Sequence, residues 1–242
     1  MRNLNGIVSI VLCATLIFGC TTTRTVNSDG TVTEKKKISN TAGGGILGGT
    51  GGAALGAGLG AIFGGKKGAA WGAGIGAVVG SGAGVLIGNK MDKQRKELEK
   101  IQNAQVEAVD GGKIIKVTFD SGILFATGSS SLSQASKTSL TEFSASLQAN
   151  PETDVLVTGH TDSSGGDRIN IPLSEKRAEA VKTFLTSQGQ ILSSRIETQG
   201  FGSSQKVAAE DAKGVQALNR RVDIYIVPSK QMVDAANQGT LK

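Results

Sequence analysis

Apolar residues in the second half of the chain follow two repeating patterns. Short runs of β-branched and apolar residues between turn residues predict buried strands, and apolar residues that recur every three or four positions predict helices. In chain order, the predicted elements are strand 113–119, helix 132–149, strand 154–160, helix 174–188, strand 196–200 and strand 221–227. Two helices on a mixed sheet predict an α+β fold in βαβαββ order, and about 130 residues are enough to bury a core.

The second predicted helix has recognisable ends. Ser174 is a suitable N-cap, and Gly189 is suited to end the helix. Arg177 is therefore expected in the first turn, where a cation opposes the positive end of the helix dipole.

A glycine repeat fills the region before this domain. Glycine stands at every fourth position from Gly44 to Gly88, and two charge-free arms, 43–65 and 68–88, flank Lys66-Lys67. Each arm would be about 32 Å long as a helix, close to the thickness of a bilayer core. We predict a glycine-zipper helical hairpin over 43–89, since the arms are too apolar for a flexible linker. Membrane insertion and self-association on a membrane surface fit the pattern equally well.

Two flanking segments complete this part of the picture. Residues 91–109 are rich in charge, with Leu98, Ile101 and Ala108 on one side, and this pattern predicts a helix within a linker over 90–110. We expect this helix to be a spacer or a weak seam between copies of the chain. The last residues, 229–242, lack apolar periodicity and are expected to form a frayed tail.

The first twenty residues have the pattern of a lipoprotein signal. A short basic start precedes an apolar run, and Ile17-Phe18-Gly19-Cys20 resembles a lipobox, so 1–19 is expected to be cleaved and Cys20 to carry lipid. A polar tether over 20–42 follows. Cys13 leaves with the signal, so no disulfide is expected. Thr21 favours an outer membrane location facing the periplasm, with the inner membrane as the alternative.

The net charge of +6 is unevenly distributed. Residues 1–109 contain twelve Lys and Arg against six acids, whereas 110–242 contain fourteen of each sign. The predicted domain is therefore neutral, and the excess lies beside the lipid and glycine segments. Attraction to an anionic membrane surface explains this distribution better than nucleic acid binding, which we do not expect.

One acid and one base near the same predicted strand-to-helix turn are candidates for ligand binding. Asp162 directly follows strand 154–160, and Arg177 lies at the start of helix 174–188. A ligand with an ammonium and a carboxylate on one carbon suits this pair, because Asp162 can accept from the ammonium and Arg177 can donate two parallel hydrogen bonds to the carboxylate. The alternative is an ordinary surface ion pair between Arg177 and Glu175 or another surface acid.

His160 is the single histidine and lies beside Thr161 and Asp162. Immediate neighbours on an extended chain point to opposite faces, so these residues cannot form a nucleophile and base arrangement. No second histidine or cysteine pair is available to a metal after signal removal. We expect no enzyme activity, no metal and no cofactor, and a packed or hydrogen-bonded His160.

Several ordered motifs lie between about 113 and 228. They are Gly159-His160-Thr161-Asp162, Leu173-Ser174-Glu175-Lys176-Arg177-Ala178, Gly200-Phe201-Gly202 and Asn219-Arg220-Arg221-Val222. Together they resemble the OmpA-like C-terminal domain of Gram-negative envelope proteins. The resemblance implies a domain over 111–228 that binds peptidoglycan non-covalently. It also implies that Asp162 and Arg177 hold the diaminopimelate of a stem peptide.

The resemblance implies further ligand-binding residues around this pair. Besides Asp162 and Arg177, they are Thr161, Asn170, Leu173, Leu124, Phe125 and Arg221. Of the adjacent Arg220 and Arg221, one is expected to reach the ligand, and we favour Arg221. The alternative for a strand-end arginine is an ion pair with Asp162 or Glu197.

The order of lipobox, glycine segment and OmpA-like domain resembles that of YiaD-type lipoproteins. The leading hypothesis is a protein that is anchored in the outer membrane by lipid on Cys20 and tethers it to peptidoglycan. The alternative is a membrane-active or envelope-assembly protein that forms homo-oligomers through the glycine hairpin, with the OmpA-like domain localising it to the cell wall.

Overall fold

The computed structural model describes residues 22–26, 32–36 and 83–241 of the 242-residue chain. The expected signal peptide, Cys20 and the glycine hairpin up to residue 82 lie outside these residues. The chain divides into two compact units, Met1–Gly43 and Gly44–Lys242. In the first unit, β1 (Thr22–Val26) pairs with β2 (Val32–Lys36) in antiparallel orientation. Across the described ranges, every helix is too short or too polar to cross a membrane.

A five-stranded sheet forms the centre of the second unit. Its strands are β3 (Ala104–Val109), β4 (Ile114–Asp120), β5 (Thr153–Gly159), β6 (Ile196–Gly200) and β7 (Arg221–Pro228). The spatial order is β3-β4-β7-β5-β6, in which β5 and β6 are parallel and the other neighbours are antiparallel. The predicted mixed sheet and α+β fold are confirmed.

Helices and alternate strand residues share one hydrophobic core. The helices are α1 (Ala83–Leu98), α2 (Ser121–Leu124), α3 (Gln134–Ala149), α4 (Asp167–Ser187) and α5 (Lys230–Asn237). The core contains Val157 of β5 and Ile224 of β7 together with Phe143 of α3 and Val181 of α4. Alternate positions of the strands therefore face the helices, and the intervening ones face the opposite side of the sheet.

The region before β4 differs from the sequence prediction. The helix expected over 91–109 is wrong beyond Leu98, because Ala104–Val109 forms β3 and pairs with β4. Ile87 and Met91 are fully buried in the core. Helix α1 is therefore part of the folded domain rather than a spacer, and the compact fold begins upstream of residue 111.

Two other predicted elements require correction. Helix α4 begins at Asp167, with Pro172 inside it, rather than at Ser174. Arg177 thus lies about three turns from the helix start, beyond the reach of the helix dipole. The expected frayed tail is wrong as well, because α5 is capped by Ser229 and buries Met232 among other residues.

Candidate functional site

Two glycines allow α4 to approach the sheet closely. Gly159 of β5 and Gly200 of β6 are register partners at the ends of the parallel strands. A Cβ on Gly159 would lie 2.1 Å from the carbonyl oxygen of Ser174, and one on Gly200 would lie 2.4 Å from the backbone nitrogen of Glu175. Any side chain at these positions would push α4 away. The glycines therefore set the position of Arg177, which α4 carries.

Asp162 lies just beyond the end of β5 and is 4% exposed. Its Oδ1 accepts hydrogen bonds from the Ser164 hydroxyl at 2.6 Å and the Ser164 N–H at 3.4 Å. Its Oδ2 accepts from the Gln216 N–H at 3.2 Å and from Arg220 Nη1 at 2.6 Å. Burial alone would raise the pKa of Asp162, but the bonds from Ser164, Arg220 and Gln216 outweigh it and lower the pKa below its ordinary value. The carboxylate is thus ionised at neutral pH.

Glu210 and Asn219 hold the loop between β6 and β7 against the end of β5. Glu210 Oε1 accepts from the Ser163 N–H at 2.9 Å and from Asn219 Nδ2 at 3.2 Å. The ion pair with Lys206 and the bonds from Ser163 and Asn219 lower the pKa of Glu210 to about 2. Sequence reasoning missed both residues. Asn219 could have been found from its place in the Asn-Arg-Arg-Val motif, but no local pattern marks Glu210.

Arg177 is buried and held in place by neutral partners. Its Nε donates to the carbonyl oxygen of Ser129 at 3.0 Å, and its Cζ lies 5.2 Å from the ring centre of Phe125. No carboxylate of the described residues forms an ion pair with it, so the alternative pairing with Glu175 is not observed. Burial and the positive charge of Arg220 lower the pKa of Arg177, while Asp162 acts in the opposite direction. Both terminal nitrogens are left without a hydrogen bond to the described part of the chain.

Arg220, just before β7, and Arg221, the first residue of β7, have different partners. Arg220 reaches Asp162, and its side chain is 39% exposed. Arg221 instead donates from Nε to Asp223 Oδ2 at 2.9 Å and from Nη1 to the carbonyl oxygen of Gln205 at 3.1 Å. The structure therefore places Arg220, rather than the favoured Arg221, beside Asp162, in the ion pair given above as the alternative for a strand-end arginine.

The remaining predicted residues divide into site neighbours and core residues. Asn170 Nδ2 donates to the carbonyl oxygen of Asp162 at 2.8 Å. Thr161 is buried, and its hydroxyl makes no hydrogen bond to a described residue. Phe125 contacts Arg177, whereas Leu124 is fully buried in the core. Leu173 is partly exposed on α4.

His160 is a packed residue, as expected. Its Nε2 lies 3.0 Å from the Thr158 hydroxyl and 3.6 Å from Asp223 Oδ2, and its ring stacks on Phe201 at 5.4 Å between centres. Burial, followed by the positive charge of Arg221, lowers the pKa of His160 to about 3. The imidazole is therefore neutral at physiological pH. In the described ranges, no three His, Cys, Asp or Glu side chains are grouped so that they could hold a metal ion.

Two segments of the chain match known protein families. Residues 124–220 match the OmpA family, and residues 1–92 match the YMGG-like Gly-zipper family. These matches confirm the resemblance drawn from the motifs and from the glycine repeat.

Individual relatives match the C-terminal part over limited lengths. The probable lipoprotein YiaD of Escherichia coli is 35% identical over 143 residues, which are 59% of this chain and 65% of YiaD. The peptidoglycan-binding protein ArfA of Mycobacterium tuberculosis is 34% identical over 121 residues, 50% of this chain and 34% of ArfA. The chain therefore spans less than two thirds of the length of either relative. The cell wall anchor of the T6SS from Pseudomonas aeruginosa, a solved structure, is 28% identical, and the match covers 57% of this chain and 97% of that one with a TM-score of 0.48.

Proposed function

We propose that this chain, whose residues 124–220 match the OmpA family, binds peptidoglycan non-covalently and tethers the outer membrane to the cell wall. The names of its relatives support this role, since ArfA is a peptidoglycan-binding protein and YiaD a probable lipoprotein. Lipid on Cys20 would provide the membrane end of the tether, on the periplasmic face of the outer membrane. The role is one of binding, and we infer no enzymatic step for it.

The arrangement of Asp162 and Arg177 carries the proposal. Both are 4% exposed, and each is held by partners of its own rather than by an ion pair between the two. They are close enough for Asp162 to affect the pKa of Arg177. The free end of a diaminopimelate side chain carries an ammonium and a carboxylate on one carbon. Asp162 suits the ammonium, and the terminal nitrogens of Arg177 suit the carboxylate.

Sedimentation with purified sacculi tests this site in the full-length protein in detergent. We expect Asp162→Ala and Arg177→Ala each to weaken binding about tenfold or more, because a charge-assisted hydrogen bond contributes about 1.5–3 kcal/mol. Arg168→Ala is the matched control, since Arg168 is an exposed arginine on the same helix. Wild-type sedimentation of both site variants would rule out the proposed site.

A second role through the glycine segment is favoured by the YMGG-like Gly-zipper match over residues 1–92. In this role the segment forms homo-oligomers or acts on a membrane, and the OmpA-like domain localises the chain. Leucine at Gly72, Gly76 and Gly80 should disrupt this role and leave sacculus binding intact.

A further inference from the structure

The acceptor positions of the Asp162 carboxylate are all in use. A carboxylate offers about four lone-pair sites, and Asp162 accepts two bonds from Ser164, one from Gln216 and one from Arg220. An ammonium that binds Asp162 therefore competes with these donors for the carboxylate.

Arg220 is the donor that can leave at the lowest cost. The bonds from Ser164 come from a residue two positions away, and the bond from Gln216 comes from a backbone N–H of the packed loop. The Arg220 side chain is 39% exposed, whereas that of Asp162 is 6% exposed. The backbone of Arg220 is separately held, because its carbonyl oxygen accepts from the Ser121 N–H at 2.9 Å. Its guanidinium can thus release Asp162 while the chain stays in place.

We propose that Arg220 is a specificity-determining residue that competes with an incoming ammonium for Asp162 and yields readily only to a ligand that also brings a carboxylate. This inference rests on the proposed function of the Asp162 site. A simple ammonium would release Arg220 without giving it a new anion. A zwitterionic ligand supplies a carboxylate that Arg177 and the displaced Arg220 can share.

The electrostatics of the two arginines support this competition. Burial is the main cause that lowers the pKa of Arg177, and the positive charge of Arg220 lowers it further. If an ammonium took the place of Arg220 at Asp162 and brought no anion, the guanidinium groups of Arg177 and Arg220 would lie close together without a compensating negative charge. A ligand without a carboxylate is thus rejected by the repulsion between Arg177 and Arg220. A ligand with a carboxylate is accepted because it removes that repulsion.

Two matched peptides separate the ammonium from the carboxylate. L-Ala-γ-D-Glu-meso-diaminopimelate carries both groups at its side-chain end, whereas the same tripeptide with L-lysine carries the ammonium alone. We expect the wild-type full-length protein to bind the diaminopimelate peptide about tenfold or more tightly than the lysine peptide. Isothermal titration of both peptides against wild type, Arg220→Ala, Arg220→Lys and Arg177→Ala measures the discrimination.

The direction of the change identifies competition. Arg220→Ala should bind the lysine peptide more tightly than wild type, by about threefold to tenfold, and so reduce the discrimination. Arg220→Lys should retain most of it, because the competing charge remains. Arg177→Ala should instead reduce discrimination through weaker binding of the diaminopimelate peptide. Arg168→Ala should behave as wild type, and matching melting temperatures should show that all variants fold.

Two outcomes distinguish this inference from the proposed function. If wild type discriminates between the peptides and Arg220→Ala binds the lysine peptide no more tightly, Arg220 is not a competitor, and the proposed function stands. If wild type binds neither peptide, the proposed function fails and this inference fails with it.

Discussion

Two buried aspartates near one end of the sheet have similar surroundings and different partners. Asp223 is 1% exposed and Asp162 is 4% exposed, and each pairs with one of the adjacent Arg221 and Arg220. Asp223 lies on the sheet face opposite the core, where Thr118 donates to its Oδ1 at 2.7 Å. The side chain of Arg221 is 7% exposed, whereas that of Arg220 is 39% exposed.

The exposure of the partner separates a structural ion pair from an exchangeable one. Arg221 cannot leave Asp223 without becoming an unpaired buried charge, which is costly. Arg220 can release Asp162 at a lower cost, since its own side chain is 39% exposed to water. Two neighbouring arginines thus form one ion pair that is fixed by burial and one that can exchange, as the proposed ligand site requires.

The largest expected effect is on the fixed cluster. Asp223→Ala should lower the free energy of unfolding by about 3–5 kcal/mol, because it leaves Arg221 buried without its anion. Urea unfolding measures this change. Asp234→Ala, which removes an exposed acid paired with Lys230, is the control and should change stability by less than about 0.5 kcal/mol. A loss below about 1 kcal/mol for Asp223→Ala would remove the difference between the two clusters.

The second expected effect is a dependence of stability on pH through His160. The unfolded chain binds a proton on this histidine near pH 6.5, whereas the folded protein does so only near its lowered pKa of about 3. The unfolded state therefore holds more protons between these values, and the free energy of unfolding should fall as pH decreases below 6.5. The slope is at most about 1.4 kcal/mol per pH unit for one group.

Replacing His160 isolates this contribution. His160→Gln should show a flatter stability profile than wild type between pH 6.5 and 4.5 in urea unfolding. Sacculus binding should change little over the same range, because the lowered pKa keeps Asp162 ionised. Parallel profiles for the two proteins would show that His160 does not titrate as its burial implies.

Replacing Gly159 tests the close packing of α4 on the sheet near Asp162. Its effect on stability should be smaller than those at Asp223 and His160. A Cβ there would lie 2.1 Å from the Ser174 carbonyl oxygen, so Gly159→Ala should cost about 1–3 kcal/mol by displacing α4. Peptidoglycan binding should weaken too, since α4 carries Arg177. Gly88→Ala is the control: it lies in α1 with nothing within 4 Å of an added Cβ, and it should stabilise by about 0.5–1 kcal/mol. Equal behaviour of the two variants in unfolding and sedimentation would contradict this account.

Local patterns predicted the parts of the fold that depend on local chemistry. Strand 154–160 was predicted to within one residue of β5 at each end, because β-branched and apolar residues between turn residues are good evidence for a buried strand. The strand Ala104–Val109 was missed because it is an edge strand, defined by pairing with β4 rather than by its own composition. Pro172 concealed the start of α4, since proline usually ends a helical pattern.

The residue types of the candidate site could be predicted from the sequence, but the arginine that pairs with Asp162 could not. Asp162 and Arg177 could be found from their motifs, and the structure brings both to one end of the sheet. Which of Arg220 and Arg221 reaches Asp162 depends on the side of the extended chain from which each side chain projects. That side is fixed by the register of β7 against β5, and a one-residue shift reverses it. Sequence pattern alone does not set that register.

The smallest expected effect on stability is at Asp162 itself. Asp162→Ala should lower the free energy of unfolding by about 1 kcal/mol, because the partly exposed Arg220 does not become a buried unpaired charge and the other bonds lost are those from Ser164 and the Gln216 N–H. A double-mutant cycle with Arg220→Ala should give a coupling energy of about 1 kcal/mol or less. Binding to sacculi should nevertheless fall about tenfold in the single variant. If Asp162→Ala destabilised the protein as much as Asp223→Ala, Asp162 would be a structural charge like its neighbour, and the exposure of the paired arginine would not decide which aspartate is free to bind a ligand.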